Sequence, residues 1–102
     1  IENKKFQLYL NANNFKIRNF ILNDFKVANN TSNLKISELE KTSNELIKKF
    51  KLYDEIDNFQ NYKLDNLYMQ DGIAYTIYTK EENLLILGFN PITNEIVLIT
   101  FR

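Results

Sequence analysis

The side chains that could do chemistry here are lysines, arginines, tyrosines and threonines. In 102 residues there is no cysteine and no histidine. Thiolate nucleophiles, disulfides, imidazole bases and the commonest metal ligand are therefore excluded. The two glycines, Gly72 and Gly88, stand too far apart for a phosphate-cradling loop. Asp54, Glu55 and Asp57 lack the alternating oxygen pattern of a calcium loop, and Glu81-Glu82 lies in an expected turn. Electrostatic chemistry remains. RNA carries its own nucleophile, the 2′-OH, so a protein that holds the phosphate, stabilises developing charge and helps move a proton can cut it without a metal.

Tyr78, Lys80, Thr100 and Arg102 are the candidate catalytic residues, grouped along and beyond two expected strands. Arg18, Tyr62, Lys63, Tyr75 and Thr79 are candidate RNA-binding residues, the cations for phosphates and the tyrosines for stacking on bases. The specific expectation is that Arg102, Lys80 and Tyr78 line one cleft at the rim of the sheet. Each has a structural alternative: strand tyrosines are commonly core or rim residues, and a final arginine is commonly a solvated end. Thirteen basic side chains balance thirteen acidic ones. A generic nucleic-acid binder carries a basic surplus, so binding here requires a basic face within a neutral total.

The elements that must position these residues change character along the chain. Length and composition, with 44% apolar and 25% charged residues, indicate one globular domain over residues 1–102. Phe6, Leu8 and Leu10 alternate with polar positions and predict a short strand. Ile17, Phe20, Ile21 and Phe25 have helical spacing and predict a helix over 14–27, followed by a polar loop at Asn29–Asn33. A second helix is expected from Ser37 to about Asp57. Its signals are capping boxes at Ser37–Glu40 and Thr42–Glu45 and a stripe of Ile36, Leu39, Ser43, Leu46, Ile47 and Phe50.

From Leu67 onward turn signals recur at Asp71-Gly72, Lys80–Asn83 and Asn90–Asn94. They separate strands at 67–69, 73–79, 84–89 and 95–101. The last two strands are apolar on both faces, so both faces of the sheet should be covered. The expected fold class is α+β, N-terminal helices packed on a C-terminal three- to four-stranded antiparallel meander.

This order of elements resembles toxin nucleases of the barnase–EndoU–colicin–RelE type. The matching residues are the Asn90-Pro91 turn and the closing strand Glu95–Phe101 with its Thr100-Phe101 end, within residues 73–102. Members often carry an active-site histidine, which this chain lacks. The resemblance implies a metal-independent ribonuclease acting on tRNA in bacterial antagonism, with no cofactor and a cognate immunity protein as partner. A start at Ile1 rather than Met suits a domain released from a longer secreted polypeptide and delivered to a target cytoplasm. Two other readings compete: a non-enzymatic binding module of cystatin-like type, and an immunity protein. The longest apolar run, Leu84–Phe89, is far too short to span a bilayer.

Overall fold

A computed structural model describes residues 5–23 and 35–102. The chain forms strands β1 (Phe6–Leu10) and β2 (Ile17–Leu22), then helix α1 (Ile36–Lys49) and a single turn α2 (Leu52–Glu55). A 3₁₀ turn (Phe59–Asn61) follows, then strands β3 (Lys63–Gln70), β4 (Ile73–Lys80), β5 (Asn83–Asn90) and β6 (Glu95–Phe101). Among the described residues the strands form one six-stranded antiparallel sheet in the order β1-β2-β6-β5-β4-β3.

The expectation of N-terminal helices on a three- to four-stranded meander is therefore overturned. The sheet dominates, and the helices come after the first two strands. Residues 17–22, expected as helix, pair with β1 and with β6. The connection before them explains the difference. Asn11 and Asn14 accept backbone N–H bonds from Asn13 and Lys16 through their side-chain oxygens. Phe15 takes a left-handed φ of 59°. These side-chain-bonded turns return the chain on itself and prevent a helix from starting. The rest of the expected first helix and the polar loop at Asn29–Asn33 lie outside the described residues.

The second expected helix exists but is broken. Its N-cap is Lys35, with no side-chain capping bond, so neither capping box marks the start. Leu39, Ser43, Leu46 and Ile47 are buried on one stripe, and each aliphatic member contributes on the order of 2 kcal/mol by leaving water. Ile36 and Phe50, at the ends of the expected stripe, are 65% and 44% exposed. Lys51, at φ 54°, turns the chain left-handed and stops α1 before α2 begins.

The described helices pack on one face of the sheet. Ile47, Leu52, Ile56, Phe59, Tyr78, Leu85, Leu87 and Ile99 form the main core there, and Leu39, Leu46, Ala74 and Phe89 form a second cluster beside it. The opposite face carries a cross-strand row of Ile21, Leu98, Gly88, Tyr75 and Tyr68. At Gly88 the Tyr75 ring lies directly on the backbone. A Cβ there would come within 3.2 Å of its Cε1 and 3.1 Å of Leu98 Cβ, so a larger residue would fit only if these neighbours gave way by a few tenths of an ångström.

Candidate functional site: a cationic cleft at the end of the sheet

The cleft forms where the chain crosses from α2 to β3 over the ends of β2, β4, β5 and β6. A bulge supplies its first cation. Tyr9 pairs with Asn19 but Leu10 pairs with Ile17, so Arg18 is an extra residue with no partner on β1. Bulges of this kind re-aim side chains, and here the consecutive Ile17 and Arg18 both reach the helix side of the sheet. Arg18 carries its guanidinium over the Phe101 ring, 4.2 Å from the centroid, and places Nη1 3.5 Å from Asp57 Oδ2. Phe101 meets Tyr62 edge to face at 5.6 Å, so Arg18, Phe101 and Tyr62 form one stack.

Asp57 fastens this arrangement. The Asn11 and Asn14 side-chain amides donate to its two oxygens at 2.9 and 3.0 Å. Its backbone N–H donates to the Ile17 carbonyl at 3.0 Å. The carboxyl is held below the usual value of 3.8, first by the Asn14 and Asn11 hydrogen bonds, against some desolvation, and then by the Arg18 charge. A carboxylate so stabilised is an anchor and a poor proton acceptor at neutral pH.

The other side of the cleft is the β4–β5 turn and the end of the sheet. Lys80 pairs with Asn83 across the turn, with Glu81 left-handed at φ 56°. Arg102 exchanges two backbone hydrogen bonds with Leu84, at 2.8 and 2.7 Å, which continues the sheet ladder past β6. The resulting cavity is about 330 Å³ and is lined by Arg18, Asn58, Tyr62, Lys80, Asn83, Phe101 and Arg102. Its charged lining is wholly cationic, with amide groups between the cations and an aromatic wall. Such a set can hold a phosphate or phosphodiester by charge-assisted hydrogen bonds beside a surface for a base.

Of the residues nominated from sequence, Arg18, Tyr62, Lys80 and Arg102 come together here. Tyr78 does not line the cleft. It points to the same side of β4 as Lys80 but two residues back, under the helices, where it is 4% exposed. Its hydroxyl lies 3.1 Å from Ser43 Oγ and its ring stands edge-on to Phe59 at 4.9 Å. Burial pushes its phenol above the ordinary value of 10.0, and the neighbouring Ser43 and Thr76 hydroxyls offset part of that.

Thr100, Thr79, Lys63 and Tyr75 belong to the opposite face. Thr100 pairs with Asn19 and Ile86, and Lys63 pairs with Thr79 at the edge. Tyr75 stacks on Tyr68 at 5.3 Å, its phenol raised first by burial and then by the nearby Tyr68 and Asp71.

Asn58, Asn83 and Asp57 are not among the site residues that the sequence nominates, and Phe101 enters there only through the family resemblance. Sixteen asparagines are spread over the chain, so their type alone carries little signal. Asn58 is distinguished by a left-handed φ of 62°, which only the folded backbone shows. Among the described residues no group of three or more His, Cys, Asp or Glu side chains could hold a metal ion, and no helix is long and apolar enough to cross a membrane. Comparison of the chain with protein-family models, with curated proteins and with solved structures gives no match.

Proposed function

We propose that this chain is a metal-independent ribonuclease domain whose cationic cleft holds the RNA backbone. The observation that carries the reading is the convergence of Arg18, Lys80 and Arg102 around one polar cavity walled by Tyr62 and Phe101. In such a site the 2′-oxygen of a bound nucleotide attacks the adjacent phosphorus and the bond to the 5′-oxygen breaks. The 2′-hydroxyl proton passes to solvent, and a solvent proton returns to the departing 5′-oxygen. The products are a 2′,3′-cyclic phosphate and a free 5′-hydroxyl. The cations stabilise the charge that gathers on the phosphoryl oxygens in between. Tyr62 and Phe101 offer edges and faces to a base, and Asp57 keeps Arg18 in place. With Tyr78 in the core and Asp57 a poor base, rate enhancement rests on charge stabilisation and positioning.

The family resemblance extends the proposal to its setting: tRNA as substrate, antagonism between bacteria as context, and an immunity protein that shields the cleft. A gel of total tRNA incubated with the purified domain, with and without EDTA, tests it. Discrete fragments ending in cyclic phosphate are expected in both lanes. Alanine at Arg18, Lys80 or Arg102 should cost about a hundredfold in rate, the scale of losing one charge-stabilising donor. Intact tRNA at high protein concentration, or cleavage unchanged in all three variants, would refute it.

A second reading, a non-enzymatic binding module, draws on a different observation. Ile21, Ile77, Ile86 and Leu98 are half-buried on the sheet face away from the described helices, a surface suited to a protein partner.

A further inference from the structure

On the helix side of the sheet, beside the cleft but sharing no residue with it, lies an apolar groove of about 360 Å³. Its walls are Ile17 and Phe20 of β2, Ile96 and Ile99 of β6, and Phe50 and Leu52 at the break between α1 and α2. The break creates it. The left-handed turn at Lys51 carries Phe50 off the buried stripe and leaves it 44% exposed at the groove's edge. The charged groups of the lining are both acidic, Glu55 and Glu95. Among the described residues neither has an ion-pair partner. The Phe50 ring also draws a cation of the chain itself, Lys49, whose Nζ stands 5.4 Å from its centroid.

We propose that this groove is a docking site for a short segment of a partner protein that presents a bulky apolar side chain flanked by basic residues. The apolar walls take the side chain out of water. Glu55 and Glu95 meet the flanking charges. The volume lies at the small end of ligand-sized cavities. That suits one or two inserted side chains rather than a whole helix. Unpaired carboxylates beside an apolar floor select against acidic segments, so the charge pattern supplies specificity as well as attraction. The proposal goes beyond the ribonuclease reading and stands or falls separately from it.

The test uses the full chain and a blocked tetrapeptide, Lys-Leu-Phe-Lys, with Glu-Leu-Phe-Glu and Lys-Ser-Ser-Lys as controls. Binding is followed by NMR chemical shifts. Shifts confined to Ile17, Phe20, Phe50, Leu52, Ile96 and Ile99 are expected with the first peptide, weakening as salt is raised. The double variant Glu55→Gln with Glu95→Gln should bind about five- to tenfold more weakly, the scale of losing two partly exposed ion pairs. Both positions are at the surface, so the variant should fold, and its unchanged tRNA cleavage would show that the cleft is untouched. Equal binding of the acidic peptide, shifts scattered over the surface or no shifts at all would overturn the proposal. So would contacts in the free protein between the Ile17 and Ile99 methyls and residues 24–34, since the groove would then be filled by its own chain.

Discussion

Cleft and groove are built from neighbouring residues of the same two strands, yet their chemistry is opposite. Ile17 lines the groove and Arg18 the cleft; Ile99 lines the groove and Phe101 the cleft. One region is cationic and rich in amides, the other apolar with carboxylates at its rim. The boundary lies at two small features. Ile56 forms a parallel bridge with Ile17, and the β2 bulge sets Ile17 and Arg18 side by side on the helix side of the sheet. A one-residue irregularity thus brings two consecutive side chains, which a regular strand would send to opposite faces, to adjoining surfaces on one side of the sheet. The lesson is that local backbone geometry, more than composition, assigns these side chains to one surface or the other.

The largest effect should come from the wall that supports both regions. Phe59 is fully buried, with ring centroids of Tyr53 and Tyr78 at 4.7 and 4.9 Å. Phe59→Ala should cost about 3–5 kcal/mol in urea unfolding and weaken RNA cleavage and peptide binding together. Loss of one without the other would show that the two regions do not depend on a common support.

Ser43→Ala should be milder and should separate packing from chemistry. Removing the Tyr78 hydroxyl's partner costs about 1–2 kcal/mol, while the cleft lining is unchanged. Cleavage per folded molecule should stay within about twofold of the parent, since a surface that is not touched loses no transition-state stabilisation. A large fall would assign Tyr78 a part in the reaction.

The smallest change tests the cleft alone. The Asp57 carboxyl titrates lower in the folded chain than in the unfolded one. Its contribution to stability is therefore present above the unfolded carboxylate value near 3.9 and is lost as pH falls through the lower folded value. Asp57→Asn should flatten the acid limb of the stability–pH curve below about pH 4, measured by urea titration at each pH. It should also loosen Arg18 without altering peptide binding in the groove.

The later strands are readable from sequence because their determinants are local. Alternation through Ile73–Thr79 and the turns at Asp71-Gly72 and Pro91 set β4, β5 and β6 to within a residue or so of where they lie. The stripe of Leu39, Ser43, Leu46 and Ile47 likewise locates the core of α1. β2 is not readable in this way. Its apolar residues fit a helix as well as a strand; the Asn11 and Asn14 turns bar the helix locally, but the pairing that places β2 inside the sheet is with β6, whose Ile99 lies about 80 residues from its partner Phe20. Short-range signals cannot report a pairing that distant.

The cleft is legible only in part for the same reason. Lys80 and Arg102 stand near strand ends, where sequence places them. Which face Thr100 shares, that Arg18 lies over Phe101, and that Tyr78 meets Ser43 beneath a helix all follow from long-range register.

The strand order also sets a timetable for synthesis. The hairpin of β1 and β2 emerges early, but its sheet neighbour β6 is the last strand made. At about 5–20 residues per second, the interval is roughly 4–16 s. Throughout that interval β2 shows an unpaired hydrogen-bonding edge bearing Phe20 and Ile21, a template open to any passing strand. Pairing of Leu98–Thr100 closes the edge, and the same strand brings Ile96 and Ile99 to the groove and Phe101 to the cleft. The nascent chain has neither binding surface until its sheet is complete.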